Sequence, residues 1–139
     1  MSGFTGCKTN QSEPSGEDSS WFEEARWSYR LLLVSGPEGP LQRQQLDQLK
    51  AHTSGIVERD LLVIDITDSK SEVVIGNKKT APPPSSFQAR FDLPPEAFQV
   101  TLIGKDGGIK ERRKEHFDTI EIFQIIDAMP MRMREMREK

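Results

Sequence analysis

One cysteine and two histidines are all that this 139-residue chain offers to thiol or metal chemistry. A lone Cys7 excludes an internal disulfide and a CxxC redox pair. His52 and His116 stand in separate segments with no HxxE or Cys/His spacing, so neither a metal site nor a cofactor is expected and both read as surface residues. Long apolar runs are also missing. None approaches the roughly 18 residues of a membrane span, and no secretory apolar core is written in the chain as given. Nor is there an excess of positive charge. The net charge is −3, which argues against a global pull on nucleic acid.

What remains is a polar but globular composition, 35% hydrophobic and 29% charged, of one-domain length. The first twenty residues hold little that could pack beyond Met1, Phe4 and Cys7. They are expected to form a flexible tail (1–20) ahead of one domain (21–139). Phe4-Thr5-Gly6-Cys7 looks like the end of a bacterial lipoprotein signal, which would make Cys7 a lipid anchor and the polar run after it a tether. Only six residues precede Cys7, so that reading requires a start further upstream. The bland reading is an incidental thiol.

The periodicity predicts an α/β order. Trp21–Tyr29 reads as a short helix or an irregular cover, with Trp21 and Trp27 filling the core edge. Arg30–Val34 and Leu61–Ile66 are near-continuous apolar runs, expected as central strands buried on both faces. Between them Pro40 opens a helix with Leu41, Leu46 and Leu49 as its stripe, closed by Ser54-Gly55. Strand, helix, strand at this spacing predicts a right-handed βαβ unit with a parallel pair. A small strand over 69–75, a proline-rich loop and a short helix placing Phe87 and Phe91 on one face follow. Phe98–Ile103, the Lys105-Asp106-Gly107-Gly108 turn and Ile109–Arg113 predict a hairpin with a polar outer edge. Asp118 and Glu121 form a capping-box pattern, with Phe117 and Ile122 at the staple positions. Ile120, Phe123 and Ile126 begin the apolar face of that last helix, and Pro130 kinks or ends it.

This order, and the segments RLLLVSGPEGPLQRQQLDQL, IVERDLLVI, FQVTLIGKDGGIK and IDAMPMRMREM, resemble a thioredoxin-like domain-of-unknown-function family over about Arg26 to Met136. The family occurs as stand-alone bacterial proteins and inside sushi-repeat-containing and coiled-coil-domain-containing extracellular matrix proteins of animals. The resemblance implies a thioredoxin-like α/β fold with a central four- to five-stranded mixed sheet flanked by helices. It also implies export and a protein or matrix component as partner. It supplies no catalytic residues. Redox thioredoxins place a nucleophilic cysteine after the first strand, where the helix N-terminus lowers its pKa. That position here reads Ser35-Gly36-Pro37-Glu38-Gly39-Pro40. Such enzymes also place a cis-proline directly before the third strand, where this chain has Ala97, with Pro94 and Pro95 earlier. Thiol-disulfide oxidoreductase activity is therefore not expected.

Two binding surfaces follow. The former active-site loop, with Gly36, Glu38 and Gly39, could present helix N–H groups to an anion, although Glu38 opposes this. Any pocket left from a redox site would lie there, beside Pro94 and Pro95. The Met- and Arg-rich C-terminal end offers Arg132, Arg134 and Arg137 to a partner. The bland alternative packs Met129, Met133 and Met136 on the sheet and leaves the arginines in water. The best functional reading is a non-catalytic binding or structural module without a redox site. The alternative is an enzyme of unrecognised, cation-dependent hydrolytic chemistry using Asp65 or Asp68, carboxylates flanking the second strand as Asp60 does.

Overall fold

Both faces of the sheet carry apolar side chains, and this decides the architecture. The computed structural model describes residues 16–138. Its elements are α1 (Gly16–Ala25), β1 (Arg30–Ser35), α2 (Pro40–Lys50), α3 (Thr53–Glu58), β2 (Leu61–Ile66), β3 (Ser71–Ile75), α4 (Pro84–Phe91), β4 (Gln99–Ile103), β5 (Ile109–Arg113), α5 (Thr119–Asp127) and α6 (Pro130–Arg137). The five strands order as β3-β2-β1-β4-β5. β1 and β2 are parallel, and the other pairs are antiparallel. Alternate residues of β1 and β2 feed two cores. Leu32, Val34, Leu61 and Val63 pack with Leu46, Leu49, Ile56, Phe117, Ile122 and Ile126 on the face of α2, α3 and α5. Leu31, Leu33, Leu62, Ile64 and Ile66 pack with Trp21, Phe22, Phe87 and Phe91 on the face of α1 and α4. Strands covered on both sides need no polar face, hence their continuous apolar runs.

The hairpin forms as its turn chemistry requires. Gly107 takes a φ of +88°, and the Gly108 N–H donates to Asp106 Oδ1 at 2.9 Å. Elsewhere the structure corrects the sequence reading. α1 spans Gly16–Ala25, where a helix or irregular cover was expected over 21–29; Cys7 lies outside the described residues. Trp21 is buried but Trp27 is 56% exposed. Leu41 also faces solvent, because the buried stripe of α2 is Gln42, Gln45, Leu46 and Leu49. Gly55 sits inside α3 and does not close α2. On α5, Ile120 is exposed and Thr119, Ile122 and Ile126 are buried.

The capping box does not form. Asp118 occupies the N-cap without a side-chain cap bond, and Glu121 is drawn to Arg113 at 2.6 Å. The α5 start is satisfied from across the core. Gln48 Oε1 accepts from the Thr119 N–H at 3.1 Å and from its hydroxyl at 3.0 Å. One turn earlier, Gln45 exchanges two 2.8 Å bonds with the backbone N–H and carbonyl of Phe117. Pro130 ends one helix and starts the next, as its fixed φ suits a first helical position.

Candidate functional site

The two ends of the central strands carry different chemistry. At the Ser35 end stands the loop in which a redox thiol would be sought. Gly36 has a φ of +124°, and a Cβ there would lie 2.6 Å from the Ala97 carbonyl oxygen. Its N–H donates to Ile66 O at 3.1 Å. The Ser35 hydroxyl is buried and donates to Gln99 O at 3.3 Å. Glu38 is exposed, and a Cβ on Gly39 would meet nothing within 4 Å. The second strand ends beside this loop. Asp65 is half-buried and accepts from the Gln42 amide. Burial pushes its carboxyl above the ordinary value. The Gln42 bond opposes this, Glu72 and Glu38 add to the rise, and Lys70 opposes. Asp68 is exposed, and Asp60 lies at the opposite end of β2.

At the Arg30 end a charge network docks α6. Arg30 and Arg132 are 1% and 2% exposed. Arg30 meets Glu135 at 3.2 Å and gives its other fork nitrogen to the Arg59 carbonyl at 2.8 Å. Lys105 bridges Glu135 at 2.7 Å and Asp60 at 3.0 Å. Arg132 reaches Asp127 and Glu58, both at 3.1 Å, and Arg59 holds Asp127 at 2.9 Å. For Asp127 and Glu135 burial alone would raise the carboxyl pKa. Their cationic partners outweigh it, so both lie below the ordinary range. The Met/Arg end meets the bland expectation only in part: Met129 packs against the core, but other residues depart from it. Arg132 is buried, whereas Met133 and Met136 are 44% and 40% exposed. Arg134 and Arg137 are exposed, with no acidic partner among the described residues.

Beside this network opens a cleft of about 590 Å³, between Trp27, the β4–β5 turn and the α5–α6 junction. It lies at the opposite end of the sheet from the 35–40 loop. Its apolar walls are Ile125, Met129 and Met131, and Lys105 and Lys110 stand at its polar side. Trp27, expected to fill the core edge, lines this cleft instead; its burial could not be judged from an aromatic-rich run alone. Among the described residues no cluster of three or more His, Cys, Asp and Glu is placed to hold a metal, and no helix is long and apolar enough to cross a membrane.

The architecture defines the class, a mixed sheet with helices on both faces in thioredoxin-like order. A thioredoxin peroxidase I of Plasmodium yoelii superposes with a TM-score of 0.59 at 14% identity, covering 81% of this chain and 79% of that one. This likeness speaks to fold. The chain belongs to the DUF4174 family, described as a domain of unknown function, whose model matches residues 21–135. It is similar to sushi repeat-containing protein SRPX of Homo sapiens and of Rattus norvegicus, each 33% identical over 113 residues. The match spans 77% of this chain but 24% of those relatives, so the chain corresponds to about a quarter of their length.

Proposed function

We propose that this domain is a non-catalytic binding or structural module that keeps a thioredoxin-like frame without a redox site. The observation that carries this reading is the closure around Gly36. The Ala97 backbone fills the space a side chain would need, and the neighbouring Ser35 hydroxyl is turned inward to Gln99. The α2 N-cap itself is Gly39, where space is open, but no residue from Ser35 to Pro40 carries a thiol for the helix to activate. By the similarity to sushi repeat-containing proteins, the partner is a protein or matrix component and the domain is exported. Lipidation at Cys7 would serve the same location. The arginine-bearing α6 end suits partner contact better than the Gly36–Gly39 loop, whose backbone N–H at Gly36 is already bonded.

The test is an insulin-reduction assay and a peroxide-consumption assay on the chain and on Cys7→Ser. Both proteins should match the uncatalysed rate. Insulin reduction, or peroxide turnover lost in Cys7→Ser, overturns the module reading. One observation favours the hydrolytic alternative: the raised carboxyl of Asp65, a property common in catalytic acids and bases. A measured turnover abolished by Asp65→Ala would decide for it.

A further inference from the structure

We propose that the cleft beside Trp27 receives an extended segment of a partner protein, with one apolar side chain inserted between Trp27 and Met131 and acidic residues running along Arg134 and Arg137. This deepens the module reading and rests on it.

Three independent features converge on the cleft. The first is Trp27 itself. It holds a φ of +70°, a backbone state unfavourable for a bulky L-residue. Its N–H is pinned to the Lys105 carbonyl at 2.7 Å. This turn ends α1, with the Ser28 and Tyr29 N–H groups returning to Ala25 O, and it leaves Trp27 56% exposed. Trp21, six residues earlier, is packed away and donates to Thr80 O. The second feature is the wall opposite. Ile125, Met129 and Met131 line a space of about 590 Å³, within the usual range of ligand sites, and methionines adapt to varied apolar shapes.

The third feature is charge. Lys105 and Arg30 at the cleft floor are neutralised by Glu135 and Asp60, and Lys110 by Asp106. The interior therefore asks for an apolar group and not for an anion. Outside it the balance differs. Pro130, Arg134 and Arg137 stand at i, i+4 and i+7 on α6, hence on one stripe. Pro130 lines the cleft. The two arginines lie further along that stripe, exposed and without an acidic partner among the described residues. In a chain of net charge −3, these forks on the helix that begins at the cleft wall match carboxylates of an entering segment.

The probes are fluorescein-labelled dodecapeptides on the full chain, read by anisotropy. One carries a central leucine followed by an acidic run, a second replaces the acids by lysines, and a third replaces the leucine by serine. The first should bind, and the other two should bind at least about tenfold more weakly. Trp27→Ala, and separately the Arg134→Ala/Arg137→Ala pair, should each weaken the first peptide by about tenfold or more with Tm unchanged. Trp27→Gly should weaken it equally while raising Tm, because glycine accepts the backbone state. No binding of the first peptide at millimolar concentration, equal binding of the lysine peptide, or insensitivity to these variants overturns the proposal. So does self-association abolished by Trp27→Ala, which would assign the cleft to a second copy. Insulin reduction would instead overturn the module reading, so the two failures are distinct.

Discussion

Arg132→Met isolates the charge that docks α6, because methionine keeps most of the buried volume. Arg132 is 2% exposed and makes 3.1 Å bonds to Asp127 and Glu58. A hydrogen bond to a charged group is worth about 1.5–3 kcal/mol. Removing one partner of a fully buried pair costs about 3–5 kcal/mol. Two facts reduce that here. The Asp127 and Glu58 side chains retain 34% and 46% exposure, so water screens part of the loss. Asp127 also keeps its two bonds from Arg59, at 3.1 and 2.9 Å. We therefore expect a loss of about 2 kcal/mol in urea unfolding, or about 8 °C in Tm for a domain of this size. Asp127→Asn in the same background should add less than it does alone, since the pair is already broken. A change within about 0.5 kcal/mol of wild type, the scatter of ordinary surface substitutions, would refute the claim that this network holds α6.

Gly36→Ala should destabilise by about 2–3 kcal/mol, from its left-handed backbone and the Ala97 carbonyl. Gly39→Ala, with an extended φ of 172° and open space, should be silent in the same unfolding experiment. Gln48→Ala should cost about 1 kcal/mol, the worth of a helix cap, with accelerated amide exchange at Thr119. Asp65→Asn should raise Tm near neutral pH. The folded pKa lies above the ordinary aspartate value of 3.8, so the stability tied to the protonated form is complete below 3.8 and lost as pH rises through the folded value. The Tm difference should therefore vanish in acid. Asp127 and Glu135 act in the opposite sense. Their folded pKa values are lowered from 3.8 and 4.5, so their contribution is present above those values and lost as pH falls through the folded ones.

The strands were legible because their environment is simple. β1 and β2 are covered on both faces, so burial alone writes their sequence. The hairpin was legible because Asp106-Gly107 states its own backbone geometry. α2 was only half legible. Its stripe follows i, i+3, i+4, i+7 through Gln42, Gln45, Leu46 and Leu49, but two of the four positions are glutamines that bond Asp65 and Phe117. Looking for apolar residues alone therefore admitted Leu41. The regular spacing of Gln42, Gln45 and Gln48 was the available signal. α6 was misjudged for a related reason. Arginine is ordinarily a surface residue, and nothing local to Arg132 announces Glu58, which arrives from the far end of α3.

Burying ions is a poor way to hold a helix if strength alone is required, since apolar packing does as well or better. Ion pairs do fix a register. Arg30, Arg59, Lys105 and Arg132 face Glu58, Asp60, Asp127 and Glu135 across α3, β1, the β4–β5 turn, α5 and α6. A shift of α6 by one residue would break several pairs at once. A cleft whose wall is the α5–α6 junction needs that register. Arg132 touches no ligand in this reading and acts by positioning. Arg132→Met should then weaken the acidic leucine peptide beyond what its stability loss explains. The control is Gln48→Ala, which destabilises α5 from its far end. At a temperature where both variants remain folded, Gln48→Ala should keep wild-type affinity and Arg132→Met should not. Equal affinities would show that the network supports α6 without shaping the cleft.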